Sequence, residues 1–130
     1  MSLKSLGNII LYISAIGLSI FLLFFVITGT WIGYEAKRQC SDAIHEYGGD
    51  CVEALISQLN DDHRGYRARN DAVWALGQMG DSRALPTLEK YYTGNIPSRE
   101  PLDQSISQYE LKKAINLTRG GLNITAFLWR

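Results

Sequence analysis

Two cysteines and one histidine–glutamate pair are the residues of this 130-residue chain whose types and spacing could carry chemistry. Cys40 and Cys51 bracket His45 and Glu46. A lowered thiol pKa beside a basic group would make either cysteine a nucleophile or a redox centre. In an oxidising compartment the two would instead pair and close a short loop. We expect this disulfide, with a redox-active membrane enzyme using Cys40, Cys51 and His45 as the alternative.

His45 and Glu46 also raise the question of a metal site. They supply at most two ligands, and protein metal sites use about three or more. Asp61, Asp62 and His63 could add ligands only if the fold brought their turn beside His45. Phosphate-binding glycine loops, serine nucleophile elbows and Cys-x-x-Cys motifs do not occur in the sequence. We therefore expect no enzyme activity, no metal and no cofactor.

Charge and hydropathy define the class of protein. The 13 basic and 13 acidic residues cancel, which is unlike a non-specific nucleic-acid binder. Residues 5–34 carry no charge, and residues 9–32 form a nearly continuous apolar run. As a helix this run would span about 36 Å, enough to cross a ~30 Å hydrocarbon core. It is also longer than the ~7–15-residue core of a signal peptide. We predict a single uncleaved transmembrane helix within residues 1–34.

Small residues recur at helical spacing in the predicted span. Gly29 and Gly33 form a G-x-x-x-G pair, and Ala15 and Ser19 form a second small-x-x-x-small pair. Such pairs allow close approach of helices in lipid. They predict helix association, and a self-associating membrane protein is therefore an alternative.

The side of the membrane that the rest of the chain faces is less sharply defined. Lys4 lies before the apolar run, and Lys37 and Arg38 lie after it, so the distribution of basic residues does not decide the orientation. The short N-terminal tail and the two cysteines favour an extracytoplasmic domain. We adopt that orientation as the prediction.

Residues 35–121 show helical periodicity and no convincing strand pattern. Residues 35–50 predict a connecting helix that ends at a Gly-Gly turn, and residues 51–130 predict a repeat domain. Asp50 and Glu53 form a capping-box pattern before an apolar stripe. Further helices are predicted at residues 66–80, 82–92 and 104–119, joined by turns, so the fold class is all-α. The apolar tail from residue 122 either alternates as a strand or packs across the last helix pair.

The stretch DAVWALGQMGDSRALPTLEKYY, residues 71–92, resembles the HEAT-like repeats of bacterial proteins, including the phycobilisome-lyase group. In that family each repeat is a pair of antiparallel helices whose second helix ends in Ala-Leu-Gly, as residues 75–77 do here. The next repeat opens with a Gly-Asp-x-Arg-Ala-x-Pro-x-Leu pattern, matched by Gly80, Asp81, Arg83, Ala84, Pro86 and Leu88. The resemblance implies a short solenoid of about two repeats following the membrane helix.

The resemblance also implies structural roles. Asp61 and Arg69 stand where the family has an aspartate and an arginine that form a hydrogen-bonded ladder between turns. Gly77, Gly80 and Pro86 are expected to set geometry. Some HEAT-type oxygenases bind iron through His-Glu pairs on successive repeats, but this chain has one such pair. The resemblance fades after Gly94.

These features predict an interaction module rather than an enzyme. We expect an accessory, scaffold or assembly subunit of a membrane protein complex, because a solenoid offers its partners the face of its stacked second helices. The predicted partner-binding residues are Arg64, Arg67, Asn70, Asp71, Trp74 and Gln78. Trp74 lies off the Leu76 stripe and is the main hot-spot candidate, unless it packs against the fourth helix. The expected partners are the membrane and integral membrane subunits, without nucleic acid.

Overall fold

The computed structural model describes residues 2–130, and within them every regular element is a helix. The α-helices are α1 (Leu3–Tyr47), α2 (Cys51–Asn60), α3 (Tyr66–Met79), α4 (Leu85–Tyr91) and α5 (Gln108–Thr118). Two short 3-10 helices, Ser82–Ala84 and Ala126–Leu128, precede α4 and follow α5. The predicted all-α class is confirmed, and the tail forms a 3-10 turn rather than a strand.

Helix α1 is continuous over 45 residues. It starts at a Ser2 cap and stops at Gly48, whose φ of 72° favours glycine. The predicted boundary between residues 34 and 35 therefore falls inside one helix. Its apolar part has a mean hydropathy of 2.7 over an 18-residue window, none of it buried, so this helix is long and apolar enough to cross a membrane.

The first helical pair is α2 and α3. Asp50 and Glu53 form the predicted capping box, since the Asp50 side chain accepts from the Glu53 N–H and the Glu53 side chain accepts from the Asp50 N–H. Helix α3 ends at Gly80 in the left-handed conformation, with φ of 64°. Both ends of this pair are thus set by local sequence signals.

The second pair, α4 and α5, differs from the prediction. The expected helix over 82–92 divides into a 3-10 turn capped by Asp81 and the short helix α4. Helix α5 begins at Gln108 rather than 104, because Ser107 caps it and Glu100 accepts further bonds from its first turn. A longer loop therefore joins the second pair.

The core lies where α3 packs between α2 and α5. Leu55, Leu59, Leu76, Leu88 and Leu111 are completely buried in it. Gly77 lets α3 approach α5 closely, since a Cβ there would lie 2.8 Å from the Ala114 Cα. The tight packing fixes the rotation of α3 and hence the direction in which its remaining face points.

Helix α3 runs back along α1 toward the apolar segment. Its start is near the end of α1, where Arg64 bonds Tyr47. Near its other end, Trp74 lies beside Thr28 and Ile32. The helical domain therefore packs on the last turns of the apolar run, which places Trp74 at the end of that run.

Candidate partner interface

The surface between α1 and α3 centres on Trp74. Its half-buried indole borders a shallow cavity of about 230 Å³, otherwise lined by Thr28, Trp31, Ile32 and Glu35 of α1. Trp31 is 70% exposed at the edge of this cavity. The two tryptophans thus frame an apolar recess at the end of the apolar run of α1.

The other side of Trp74 faces α5. A narrow gap there is lined by Trp74, Gly77, Gln78 and residues of α5 that include Lys113 and Leu117. Trp74 therefore combines both roles considered from the sequence: it packs toward the fourth helix of the domain and still presents an edge to the cavity. Residual exposure at a well-supported aromatic side chain is typical of a binding hot spot.

Charged side chains lie next to the recess on the side away from the apolar run. Arg38 donates two hydrogen bonds to Glu35, at 3.1 and 2.7 Å, and these bonds together with one from Gln39 lower the pKa of Glu35. Desolvation raises the pKa of Asp71, and the nearby Arg67 opposes that rise. An apolar recess with a charged border is suited to an amphipathic partner rather than to a small polar ligand.

Of the six predicted partner residues only Asn70 is buried, and Arg67, Asp71 and Trp74 lie within two turns of one another on α3 with exposed or half-exposed side chains. The other three serve the fold. Arg64 forms an ion pair with Glu46 and donates to the Tyr47 hydroxyl at 3.2 Å, so it joins the turn between α2 and α3 to the end of α1. Arg64 is thus engaged within the chain, and its contact with a partner stays a prediction.

Asn70 is also a structural residue, which corrects the prediction. It is 5% exposed, and its amide nitrogen donates to the carbonyls of Leu102 and Ser105 at 2.9 and 2.8 Å. Its amide oxygen accepts from the Ser107 N–H at 2.8 Å. Asn70 thus holds the loop that precedes α5, both of its amide hydrogens are used, and its burial leaves almost no surface for a partner.

Gln78 is likewise engaged within the chain. Its side-chain oxygen accepts from the Asn123 amide at 2.9 Å, and its carbonyl accepts from the Arg130 Nε at 2.9 Å. The guanidinium of Arg130 also lies against Gly80. The end of α3 is therefore capped by the C-terminal tail.

The tail also explains Gly29 and Gly33, for which the prediction of contact with another helix is wrong. Both glycines are buried, and a Cβ would overlap Leu128 at Gly29 and Trp129 at Gly33. The close approach that G-x-x-x-G permits is used by the tail of the same chain. Ala15 and Ser19 are exposed, so helix association through that pair stays a prediction.

The predicted Asp61–Arg69 ladder needs a correction. Buried Arg69 donates to Asp62 at 3.0 Å and to the Leu59 carbonyl at 2.9 Å, and its guanidinium lies over the rings of Tyr66 and Tyr91. Asp61 instead accepts from the Tyr47 hydroxyl at 2.7 Å. Asp62 therefore pairs with Arg69 in place of the Asp61 that the resemblance implied.

The other predicted structural residues lie at the junction of the two pairs. Arg83 bonds both Asp81 and Asp50, and these two carboxylates raise its pKa well above the usual value. Pro86 lies in the first turn of α4, where a missing N–H costs little. This junction joins the start of α2 to the start of the second pair.

The cysteine, histidine and glutamate residues that could carry chemistry do not come together in one site. Cys40 and Cys51 are joined by a disulfide, with 5.1 Å between their Cα atoms. His45 is exposed, while Glu46 is paired with Arg64. Among residues 2–130, no group of three or more His, Cys, Asp and Glu side chains is arranged to hold a metal ion.

Comparison with known proteins agrees with this architecture. Residues 68–93, which include most of α3 and all of α4, match the family model described as PBS lyase HEAT-like repeat. The chain is also 34% identical over 67 residues to a deoxyhypusine hydroxylase of Schizosaccharomyces pombe. That alignment covers 50% of this chain and 21% of the relative. No solved structure matches.

The chain therefore carries a HEAT-like repeat, and the packing of α2 to α5 in two helical pairs is that of a short α-solenoid. It spans about a fifth of the length of the curated relative. The likeness concerns the repeat architecture, and the hydroxylase name describes the relative.

Proposed function

We propose that this protein is a membrane-anchored HEAT-like interaction module, an accessory or assembly subunit that holds an integral membrane partner. The observation that carries the proposal is the position of Trp74. This residue of the repeat lies beside Trp31 and Ile32, at the end of the apolar helix. A partner that follows α1 out of the bilayer would meet the recess directly.

The packing of the domain on α1 supports an anchor that is retained. The domain buries Gly29, Gly33 and Ala36, and a cleavage near the end of the apolar run would remove the first two from their contacts with the tail. A soluble core helix would bury its apolar window, whereas in this chain none of that window is buried. Lipid is the natural environment for such a helix.

The shape and charge of the recess support a helical, amphipathic partner. The apolar walls of the cavity suit an aliphatic or aromatic anchor residue, and the border with Arg38, Arg67 and Asp71 suits polar groups at the membrane surface. Tethering both proteins in one bilayer would raise their effective concentration to roughly the mM range. Modest contacts would then suffice for a stable complex.

The disulfide supports an extracytoplasmic domain. Such bonds persist in oxidising compartments and are rare in the cytosol. In this orientation the recess would face the periplasmic or extracellular surface of the membrane. The partner's contact segment would lie on the same side.

Affinity purification from native membranes in mild detergent tests the proposal. Wild type should recover a defined integral membrane protein, and Trp74→Ala should reduce that recovery at least tenfold. Tyr109→Ala is the matched control, because Tyr109 is an aromatic residue of α5 that is 54% exposed and does not line the recess. Equal recovery by wild type and Trp74→Ala would contradict the proposed site.

A further inference from the structure

The C-terminal tail exposes an apolar patch made of Leu122, Ile124 and Phe127. Their exposed fractions are 87%, 59% and 91%. A single exposed apolar side chain needs no explanation, but three within six residues form a surface that water solvates poorly. The backbone around them is held in place, because Asn123 bonds Gln78 and Arg130 bonds the end of α3.

The patch lies at the end of the domain from which the apolar helix emerges. Leu128 covers Gly29 and Trp129 covers Gly33. Phe127 shares a surface groove with Thr30 and Tyr34 of α1. Phe127, Leu128 and Trp129 are therefore at the level of the last turns of the predicted span, and Asn123 ties Leu122 and Ile124 to the end of α3 that Arg130 also contacts.

The coverage of Gly29 and Gly33 also moves the expected lipid boundary. Because the tail occupies one face of α1 there, lipid can surround the helix on all sides only before residue 29. The uncharged segment 5–28 would still span about 36 Å, which is enough for a ~30 Å hydrocarbon core. The tail would then sit at the boundary between acyl chains and headgroups.

We propose that the tail from Leu122 to Arg130 is a second membrane contact, with Leu122, Ile124 and Phe127 inserted into the interfacial layer of the bilayer that α1 spans. The occupant of the patch is lipid. Exposed Trp31 and Tyr34 lie at the same level and are residue types favoured at that layer, and Lys37 and Arg130 border it with positive charge. This inference rests on the proposed membrane anchor.

The contact would fix how the domain sits on the membrane. One helix alone allows rotation and tilt, whereas a helix and a lateral apolar contact define a plane. The recess at Trp74, which borders the same turns of α1, would then keep a constant position at the membrane surface. A membrane partner would meet it in one orientation.

Depth-dependent fluorescence quenching tests the inference on the full chain. Ile124→Cys, Ile44→Cys and Ile20→Cys would each be labelled with a nitrobenzoxadiazole dye, since the native cysteines are paired. The purified protein would be placed in phosphatidylcholine–phosphatidylglycerol vesicles containing nitroxide lipids, with the nitroxide near the headgroup or deep in the chain. Ile44 is the matched control, about 22 Å further along α1 than Gly29 by the helical rise.

We expect the Ile20 label to be quenched best by the deep nitroxide and the Ile124 label by the shallow one. Quenching of the Ile124 label should exceed that of the Ile44 label at least threefold. If Ile20 is quenched and Ile124 behaves as Ile44 does, the tail inference is overturned while the anchor stands; a protein partner as the true occupant would give this result. If none of the labels is quenched, both the anchor and the tail contact fail.

Discussion

Trp129, the penultimate residue, packs on Gly33 of α1, and its side chain fills the space that a Cβ on the glycine would need. The contact joins the C-terminal tail to α1 at the end of its apolar run. With Leu128 on Gly29, it makes α1 part of the folded domain instead of a passive tether.

Gly33→Ala should destabilise the domain by about 1–3 kcal/mol, the usual cost of forcing extra volume into a packed contact. The Trp129 Cβ is close to the backbone and cannot move aside as a flexible side-chain end could. Thermal unfolding in detergent, together with the rate at which carboxypeptidase removes the tail, would measure the effect.

Gly17→Ala is the control for that substitution, because nothing lies within 4 Å of the added Cβ. It should leave the unfolding of the domain unchanged. Equal stability of Gly33→Ala and wild type would refute the packing of Trp129 on α1.

The Cys40–Cys51 disulfide should stabilise the domain by about 3 kcal/mol, because it closes a short loop in the unfolded chain. Reduction should lower the melting temperature of wild type and leave Cys40→Ser/Cys51→Ser unchanged. If the double variant loses no more partner binding than its lower stability explains, the disulfide has a structural role. A complete loss of function in a well-folded double variant would instead favour the redox alternative.

Asn70→Ala should cost about 3 kcal/mol, since it leaves buried backbone groups of the loop before α5 without their partners. We expect faster proteolysis within residues 93–107 and no direct effect on binding once stability is restored at low temperature. Asp71→Asn, at the neighbouring position on the recess border, should instead weaken partner binding and leave the stability of the domain unchanged. Partner affinity lost by Asn70→Ala at full folding would contradict the structural role.

The Tyr47–Asp61 hydrogen bond predicts two pH-dependent losses of stability. The Tyr47 hydroxyl lowers the pKa of Asp61, so the stabilisation is present above the ordinary value of 3.8 and is lost as the pH falls below it. Burial and the Asp61 carboxylate raise the pKa of Tyr47 to about 12, so its contribution is complete below pH 10 and is lost as the pH rises toward 12.

Tyr47→Phe should remove both contributions. Urea unfolding of wild type and this variant at pH 2.5, 7 and 11.5 would show a difference that is largest at pH 7. A stability difference that does not vary with pH would show that the bond is not coupled to either ionisation.

Much of the fold follows from local signals in the sequence. The Asp50–Glu53 capping box sets the start of α2, and Gly80 sets the end of α3. The apolar stripes that include Leu55 on α2 and Leu76 on α3 set the buried faces of these helices. The start of α5 was misplaced because Glu100, a residue of the preceding loop, completes its cap. A capping partner in an irregular loop leaves no periodic signal in the sequence.

The site could be predicted only in part, because side chains of one helix face serve different neighbours. Trp74, Asn70 and Gln78 all lie on α3, yet Asn70 holds a loop and Gln78 holds the tail. G-x-x-x-G shows that something packs closely on α1 without showing what packs there. The identity of that neighbour depends on tertiary contacts with the last residues of the chain.

Site-specific photo-crosslinking in native membranes tests the central claim most directly. A photoreactive phenylalanine would replace Trp74, Trp31 or, as the control, Tyr109 in otherwise wild-type protein. We predict that Trp74 and Trp31 give adducts with one and the same integral membrane protein, and that Tyr109 gives none. Absence of adducts at both tryptophans, or equal adducts at Tyr109, would contradict the account.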